Sequence, residues 1–439
     1  MADSSPGRVD DEDSVARARH ITNAASHHDI KALRQLIDTY AFAECKAVDV
    51  QDPSTGYTPL HAAIASCSGP FTGEGQDVKS EAPDAAENCV RFLLEYGAIW
   101  NQLDHKDMTP GCIAHQLGYA TLYEVMVDAG VRAEMLLNRL DEYDQLDGED
   151  EEEVEEGEEG EEEDDMGQQP PNGHQQSNHP EIVVSSVSKD SNATANTSKP
   201  VNGLPEHAWP EPSAKGPEDA TAITYLSSAL SMSDAKILDE QQNGVMMAWE
   251  KDIMSKSANA ILPSPGLRVL NVGFGMGIID TLIQSHRNQP AEHHIIEAHP
   301  DVLKEMENKG WLCKPGVFVH AGKWQDILPT MANDGLVFDG IYYDTFAESY
   351  KEFKEFFSEH VLALLDASGK WSYFNGMGAD RQISYDVYQK IVEMDLLEAG
   401  YDVDWEDVEL PDLRGEWEGV RRKYWNVERY RLPVCRFLD

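Results

Sequence analysis

With 439 residues, 41% of them hydrophobic, the chain is long enough for two or three domains with real cores. Its formal charge of −45, from 80 acidic against 35 basic side chains, repels phosphate and argues against direct nucleic-acid binding, while it attracts basic proteins. The six cysteines form no CxxC pair and no metal-ligand cluster, no apolar stretch is long enough to span a bilayer, and the opening Met-Ala-Asp-Ser-Ser-Pro has no secretory pattern. A soluble chain of cytoplasm and nucleus is expected, with no membrane contact and no metal.

The first third repeats itself. Residues 57–63, Tyr-Thr-Pro-Leu-His-Ala-Ala, match the signature of an ankyrin unit, and a degenerate copy, Met-Thr-Pro-Gly-Cys-Ile-Ala, fills 108–114. The segments at 92–98 and 125–131 stand 33 residues apart, the ankyrin period. Thr58 is placed to cap a helix whose first turn accepts Pro59. Gly97 and Gly130 suit the left-handed residue that ends each second helix. The prediction is an ankyrin-repeat-like domain over 1–140, with the polar stretch 66–86 as an insertion. It serves either as a docking surface for a protein partner or as a short helical cap that helps the chain fold or dimerise.

Between Asp141 and Asp165 lie eighteen acidic residues and no basic ones, a run that repels itself and buries nothing. The Gln, Asn, Ser, Pro and Gly that follow continue it, so 141–215 is expected to be an acidic, disordered linker.

Upstream of the next strands, the spacing predicts a helix over Val245–Ser257. Met246, Trp249, Glu250, Ile253 and Met254 fall at offsets 0, 3, 4, 7 and 8, hence on one face. Glu250 within that apolar face is either a rim glutamate or a partner for a cationic ligand. From Gly266 strands alternate with helices, the sign of a doubly wound α/β domain over 216–439. Strand Leu267–Val272 runs into Gly273-Phe-Gly-Met-Gly-Ile278, a glycine turn that lets a ligand approach the backbone at a helix start. Glu297 ends the second strand 24 residues after Gly273, near the spacing at which an acid takes ribose hydroxyls, the alternative being a solvent-facing strand end. Trp324, after the third strand, either flanks an adenine or packs in the core. Asp344 follows the apolar fourth strand at its carboxyl end, where a carboxylate needs a hydrogen bond or a cation. Strand 370–375, a helix over 383–399 and terminal strands within 424–437 complete a sheet of about seven strands.

Together Val245-Met-Met-Ala-Trp-Glu250, Val272-Gly-Phe-Gly-Met-Gly-Ile278, Ile295-Ile-Glu297 and Tyr343-Asp-Thr345 resemble guanidinoacetate N-methyltransferase, over roughly residues 220–439. The whole architecture resembles the fungal protein arginine N-methyltransferase 2 family (type IV). The resemblance implies a Rossmann-like, S-adenosylmethionine-dependent methyltransferase. Its substrate would be the internal δ nitrogen of arginine in a basic, ribosomal large-subunit protein. By position, Gly273, Phe274, Gly275, Met276, Gly277 and Ile278 would line the methionine part of the cofactor. Glu297, Ala298 and His299 would hold the ribose side, and Trp324 with Gln325 the adenine. Met246 and Met254 would cap it, with Tyr225 touching it, and Glu250 and Asp344 would grip the guanidino group, Asp344 also meeting the cofactor. Lys251-Asp-Ile stands where the small-molecule relative has Thr-Pro-Tyr, which argues against guanidinoacetate itself. The alternatives are a small-molecule guanidino methyltransferase and a catalytically silent scaffold.

Overall fold

A computed structural model describes residues 7–67, 83–149 and 222–438. The N-terminal part is helical: α1 (Gly7–Ser26), α2 (Ile30–Thr39), α3 (Pro59–Ala65), α4 (Asp84–Glu95), α5 (Pro110–Leu117) and α6 (Ala120–Glu149). Both Thr-Pro signatures open a helix, because Thr58 and Thr109 accept the third backbone N–H of α3 and α5 through their hydroxyls. His61 is fully buried: its Nδ1 accepts from Thr58 N at 3.2 Å and its Nε2 donates to the Met108 carbonyl at 3.0 Å. It thereby ties α3 to the turn before α5, and burial lowers its pKa, so it acts as a neutral strut. Helix α3 packs against both α1 and α5.

Gly97 ends the α4 segment with φ +82°, as expected. Gly130 does not end a helix: α6 runs straight through it and on to Glu149. The reason is tertiary. A Cβ on Gly130 would sit 2.6 Å from Val387 Cγ2 and 3.1 Å from the Trp100 ring, so glycine is needed there for close approach. Helix α6 also enters the acidic tract expected to be disordered. The rest of that tract, the linker that follows and most of the 66–86 insertion lie outside the described residues.

The second half opens with α7 (Ala222–Ser227) and a three-stranded antiparallel sheet of β1 (Ser231–Met232), β2 (Lys236–Leu238) and β3 (Gly244–Met247). Val245–Met247 are thus strand, which corrects the expected helix. Pairing with β2 (Ile237 opposite Met246, Lys236 opposite Met247) overrides the helical spacing, and α8 (Lys251–Ile261) starts only after a 3-10 turn at Ala248–Glu250. Helix-spaced apolar residues on two elements still meet: Met246 and Met254 share one apolar cluster.

Then come β4 (Arg268–Val272), α9 (Ile278–Gln284), β5 (Glu292–Glu297), α10 (Pro300–Asn308), β6 (Val317–Ala321), α11 (Trp324–Asn333) and β7 (Phe338–Tyr343). They are followed by α12 (Tyr350–Glu355), a π-helical stretch (Phe356–Val361), α13 (Leu362–Leu364), β8 (Leu365–Tyr373), α14 (Gln382–Glu398), β9 (Tyr401–Glu409) and β10 (Arg429–Phe437). The seven-stranded sheet has order β6-β5-β4-β7-β8-β10-β9; β10 is antiparallel to both its neighbours and the other pairs from β6 to β8 are parallel. This is the Rossmann-like methyltransferase fold. Strand order reverses at β4, and the crevice beyond the carboxyl ends of β4 and β7 is where such sheets bind ligands.

The helical N-terminal part and the sheet share one apolar core, within the unit formed by the described residues of 1–141 and 212–439. The joint is α14. Gly111 faces Ile383, Gly130 faces Val387, Tyr123 OH donates to Asp386 at 2.6 Å, Tyr388 OH donates to Glu134 at 3.2 Å, and Lys390 pairs with Asp128 at 3.0 Å. Among the described residues no helix is long and apolar enough to cross a membrane.

Candidate active site

A cavity of about 340 Å³ lies at the sheet's switch point, walled by the ends of β4, β5, β7 and β8 and by the turn after β3. Gly273 makes the first wall. Its φ of +92° lies in the left-handed region, and a Cβ there would stand 1.9 Å from the Asp344 carbonyl oxygen, so no other residue fits. Asp344 N donates to Val272 O at 2.9 Å, which seats the turn after β7 directly on the end of β4.

Glu297 closes the floor. Its Oε2 accepts from Phe274 N at 2.9 Å and Gly275 N at 3.3 Å, and its Oε1 accepts from His299 N at 2.7 Å. A carboxylate at the end of β5 therefore organises the glycine turn. Burial pushes its pKa up, and these amide donors oppose that. Asn271, fully buried on β4, donates to the Gly273 carbonyl at 2.8 Å and to both oxygens of Asp280, which fixes the turn from below. Tyr225 covers the cavity from α7, with its ring 4.8 Å from His299 and 4.9 Å from Phe346.

Two acids face the interior. Glu250 is buried on the 3-10 turn before α8, and its Oε1 takes two donors, Met247 N at 2.9 Å and the Tyr424 hydroxyl. When ionised, its charge lies at the start of α8, where the helix dipole favours it. Its Oε2 has no donor among the described residues and is left to the cavity. Asp344 has no hydrogen-bond donor on its carboxylate among the described residues. Burial raises Asp344 to about 7, helped by the charge of Asp280. Burial raises Glu250 to about 8, with the charge of Asp344 next, while Tyr424 and Met247 pull it down. Among the described residues neither acid pairs with a lysine or arginine. Two buried carboxylates with oxygens left unsatisfied in one cleft are costly to ionise unless a cation completes them.

Of the residues singled out from sequence, the structure brings Tyr225, Met246, Glu250, Gly273, Gly275, Glu297, Ala298, Trp324, Gln325 and Asp344 to this cavity. Met254 lies instead in the core beneath α8, and Phe274 packs edge-on against Trp311. Met276 and Gly277 lead into α9, which Ile278 opens, and the Met276 amide lies 3.1 Å from the Met246 sulfur. His299 stands behind Glu297, donating from Nε2 to the Tyr225 carbonyl at 3.1 Å. Trp324 is both core and wall: it is buried against Phe356 and His360 while its indole donates to Glu348 at 2.7 Å. Sequence reasoning missed Glu348 and Tyr424. Glu348 gathers Trp324, Thr345 and Tyr343 into one wall, and no local pattern announces it.

The sequence profile of the guanidinoacetate N-methyltransferase family matches residues 217–413. A protein arginine N-methyltransferase 2 from Aspergillus fumigatus is 52% identical over 433 residues, 96% of each chain. One from Aspergillus oryzae is 53% identical over 96% of this chain and 97% of its own. One from Neurospora crassa is 43% identical over 97% of both.

Proposed function

The chain belongs to the protein arginine N-methyltransferase 2 family, and on that premise we propose that it methylates the internal δ nitrogen of an arginine in a basic protein, a large-subunit ribosomal protein being the expected class. It is an S-adenosylmethionine-dependent enzyme. The cavity suits that cofactor: a glycine turn only glycine can make, an acid at the end of the second parallel strand, and free carboxylates to meet positive charge. The observation that carries the reading is the pair Glu250 and Asp344, two carboxylates in one cavity with oxygens that no donor among the described residues satisfies.

Bound S-adenosylmethionine supplies a methyl group on a positively charged sulfur. The chain's own residues do the rest. Glu250 Oε2 and the Asp344 carboxylate would hold the planar guanidinium through charge-assisted hydrogen bonds. The δ product requires that this grip present the chain-bearing nitrogen to the methyl and leave its proton within reach of Asp344. Positioning for in-line displacement is the main contribution. The carboxylates also stabilise the cation that persists through transfer, and Asp344, whose carboxyl sits near neutrality, would take the proton the nitrogen releases. Arginine stays protonated in water, so the proton leaves late. The Thr-Pro helices would act as an ankyrin-like docking surface for the protein substrate, in cytoplasm and nucleus.

The test is transfer from radiolabelled S-adenosylmethionine to a cell extract, beside guanidinoacetate, with the products hydrolysed and their methylarginines separated. δ-Methylarginine in a protein band supports the proposal. Label in creatine alone points to a small-molecule enzyme, and no label despite cofactor binding points to a silent scaffold.

A further inference from the structure

The connection between β9 and β10, residues 410–428, falls almost wholly beyond the family match, which ends at 413. It is nonetheless laced to the small sheet that carries Met246 and leads to Glu250. Gly244 N donates to Arg422 O at 3.1 Å, Arg421 N donates to Gln242 O at 2.8 Å, and Arg421 Nε donates to Asn243 at 3.1 Å. Between these ties and β10 stands Tyr424, with its ring stacked on Trp249 at 6.3 Å and edge-on to Trp417 at 5.1 Å. Gly244 lets the ring in: a Cβ there would lie 3.1 Å from Tyr424 Cδ1. The hydroxyl so placed lines the cavity and donates to Glu250 Oε1.

We infer that Tyr424 is a positioning residue for methyl transfer: its hydroxyl, with the Met247 amide, locks Oε1 of Glu250 and so turns Oε2 toward the guanidino group. The inference rests on the function proposed above. A glutamate side chain has three rotatable bonds, and a carboxylate must lie near the plane of a guanidinium to bind it by two hydrogen bonds. One amide from its own turn leaves Glu250 free to swing; a second donor from a separate element removes that freedom. Donation to the carboxylate also favours its charged form. The groups facing Glu250 are Asp344 after β7, Tyr342 on β7, Tyr430 on β10 and Tyr424 itself. Burial holds all three tyrosines well above their ordinary pKa, so Tyr424 remains a donor throughout and only Asp344 titrates in the range of Glu250.

The test uses the full chain with Tyr424→Phe, which keeps the ring, tritiated S-adenosylmethionine, and extract from cells lacking this protein. Cofactor affinity should stay within about twofold, while transfer near pH 7 falls about tenfold or more and the acid limb moves up by about one pH unit, the worth of one hydrogen bond to a charged group. Adding Tyr424→Phe to Glu250→Gln should cost nothing further, because the hydroxyl acts through that carboxylate. A wild-type rate and limb in Tyr424→Phe overturns the inference. So does an equal loss at every pH that adds to that of Glu250→Gln. If the wild type itself puts no methyl on arginine, the functional reading fails, and the hold of the Tyr424 hydroxyl on Glu250 is decided separately by stability. The pH at which each protein's melting temperature stops diverging from its Glu250→Gln counterpart should lie higher with Tyr424→Phe, and an unchanged value refutes it.

Discussion

Glu250→Gln should stabilise the cofactor-free protein while abolishing its activity. The carboxyl is raised from 4.5 to about 8, chiefly by burial. Its folded value therefore lies above its unfolded one, so the folded state holds the proton more tightly. As pH climbs from about 4.5 the unfolded chain ionises at this position and gains free energy that the fold does not, until the folded group ionises near 8. At roughly 1.4 kcal/mol per pH unit the ceiling on this penalty is about 5 kcal/mol. Asp344 shares the field and ionises more easily once Glu250 is neutral, which takes part of the gain back, and an amide also loses some of the hydrogen-bond strength of a carboxylate. About 2 kcal/mol should remain at pH 8, or roughly 2–5 °C in melting temperature for a unit this large. The assay is thermal unfolding of both proteins without cofactor from pH 5 to pH 9. The gap should be near zero at the acid end and widen until about pH 8. A gap that does not change with pH, or a variant less stable than wild type at pH 8, refutes the assignment of Glu250 as a buried acid that burial keeps protonated. Methyl transfer by the same variant should fall about 100-fold or more, with cofactor binding nearly intact.

Asp344→Asn should likewise bind cofactor and lose transfer, which equilibrium binding and label incorporation will separate. In it, the acid form of Glu250 should give way at lower pH, since the charge of Asp344 is the second cause of the raised value; a ¹³C-labelled carboxylate band followed by infrared would show it. For the wild type, kcat/KM should rise through about pH 7 to 8 rather than near 4, because both acids must be charged to hold a cation, and a pH–rate profile checks this. Gly273→Ala should lose cofactor binding and melt lower, as φ +92° strains any side chain and the added carbon meets the Asp344 carbonyl, part of the backbone. Gly130→Leu should push α6 off Val387 and Trp100 and lower the melting temperature by the equivalent of about 2 kcal/mol or more, measured by calorimetry.

The parallel part of the sheet was legible because each strand is a short apolar run ending in a residue with a job: Val272 before Gly273, Glu297, Tyr343 before Asp344. Thr58 and Thr109 were legible for a similar reason, since a cap acts on amides three residues away. Where the deciding partner is distant in sequence, local pattern fails. Val245–Met247 carry helical spacing, yet the edge of β2 is what pairs with them. Gly130 resembles a helix terminator, but what meets it is Val387. Tyr424 sits in an irregular connection, and its partner Glu250 is 174 residues away. Of the candidate site, the residues tied to strand ends were found, and those that hold them in place were not.

The same distance effect changes how the N-terminal helices bear on catalysis. Ile383 and Val387 on α14 are fully buried, and Gly111 and Gly130 of the N-terminal helices lie against them. Just before α14, residues Phe374 to Gly378 wall the cavity, and Asn375 there is held by Gln389 of α14 at 2.7 and 2.9 Å. One helix is therefore gripped by the N-terminal part on one face and grips the cavity wall with another. Removing the N-terminal helices would expose an apolar face as well as delete a docking surface, so lost methylation in a truncated chain would not isolate docking. Exposed substitutions on α3 and α5, away from α14, make the separation: if those helices recruit the substrate, KM rises while kcat and the melting temperature hold. If they serve only to brace α14, such surface changes leave all three unmoved, whereas Gly130→Leu lowers kcat along with stability.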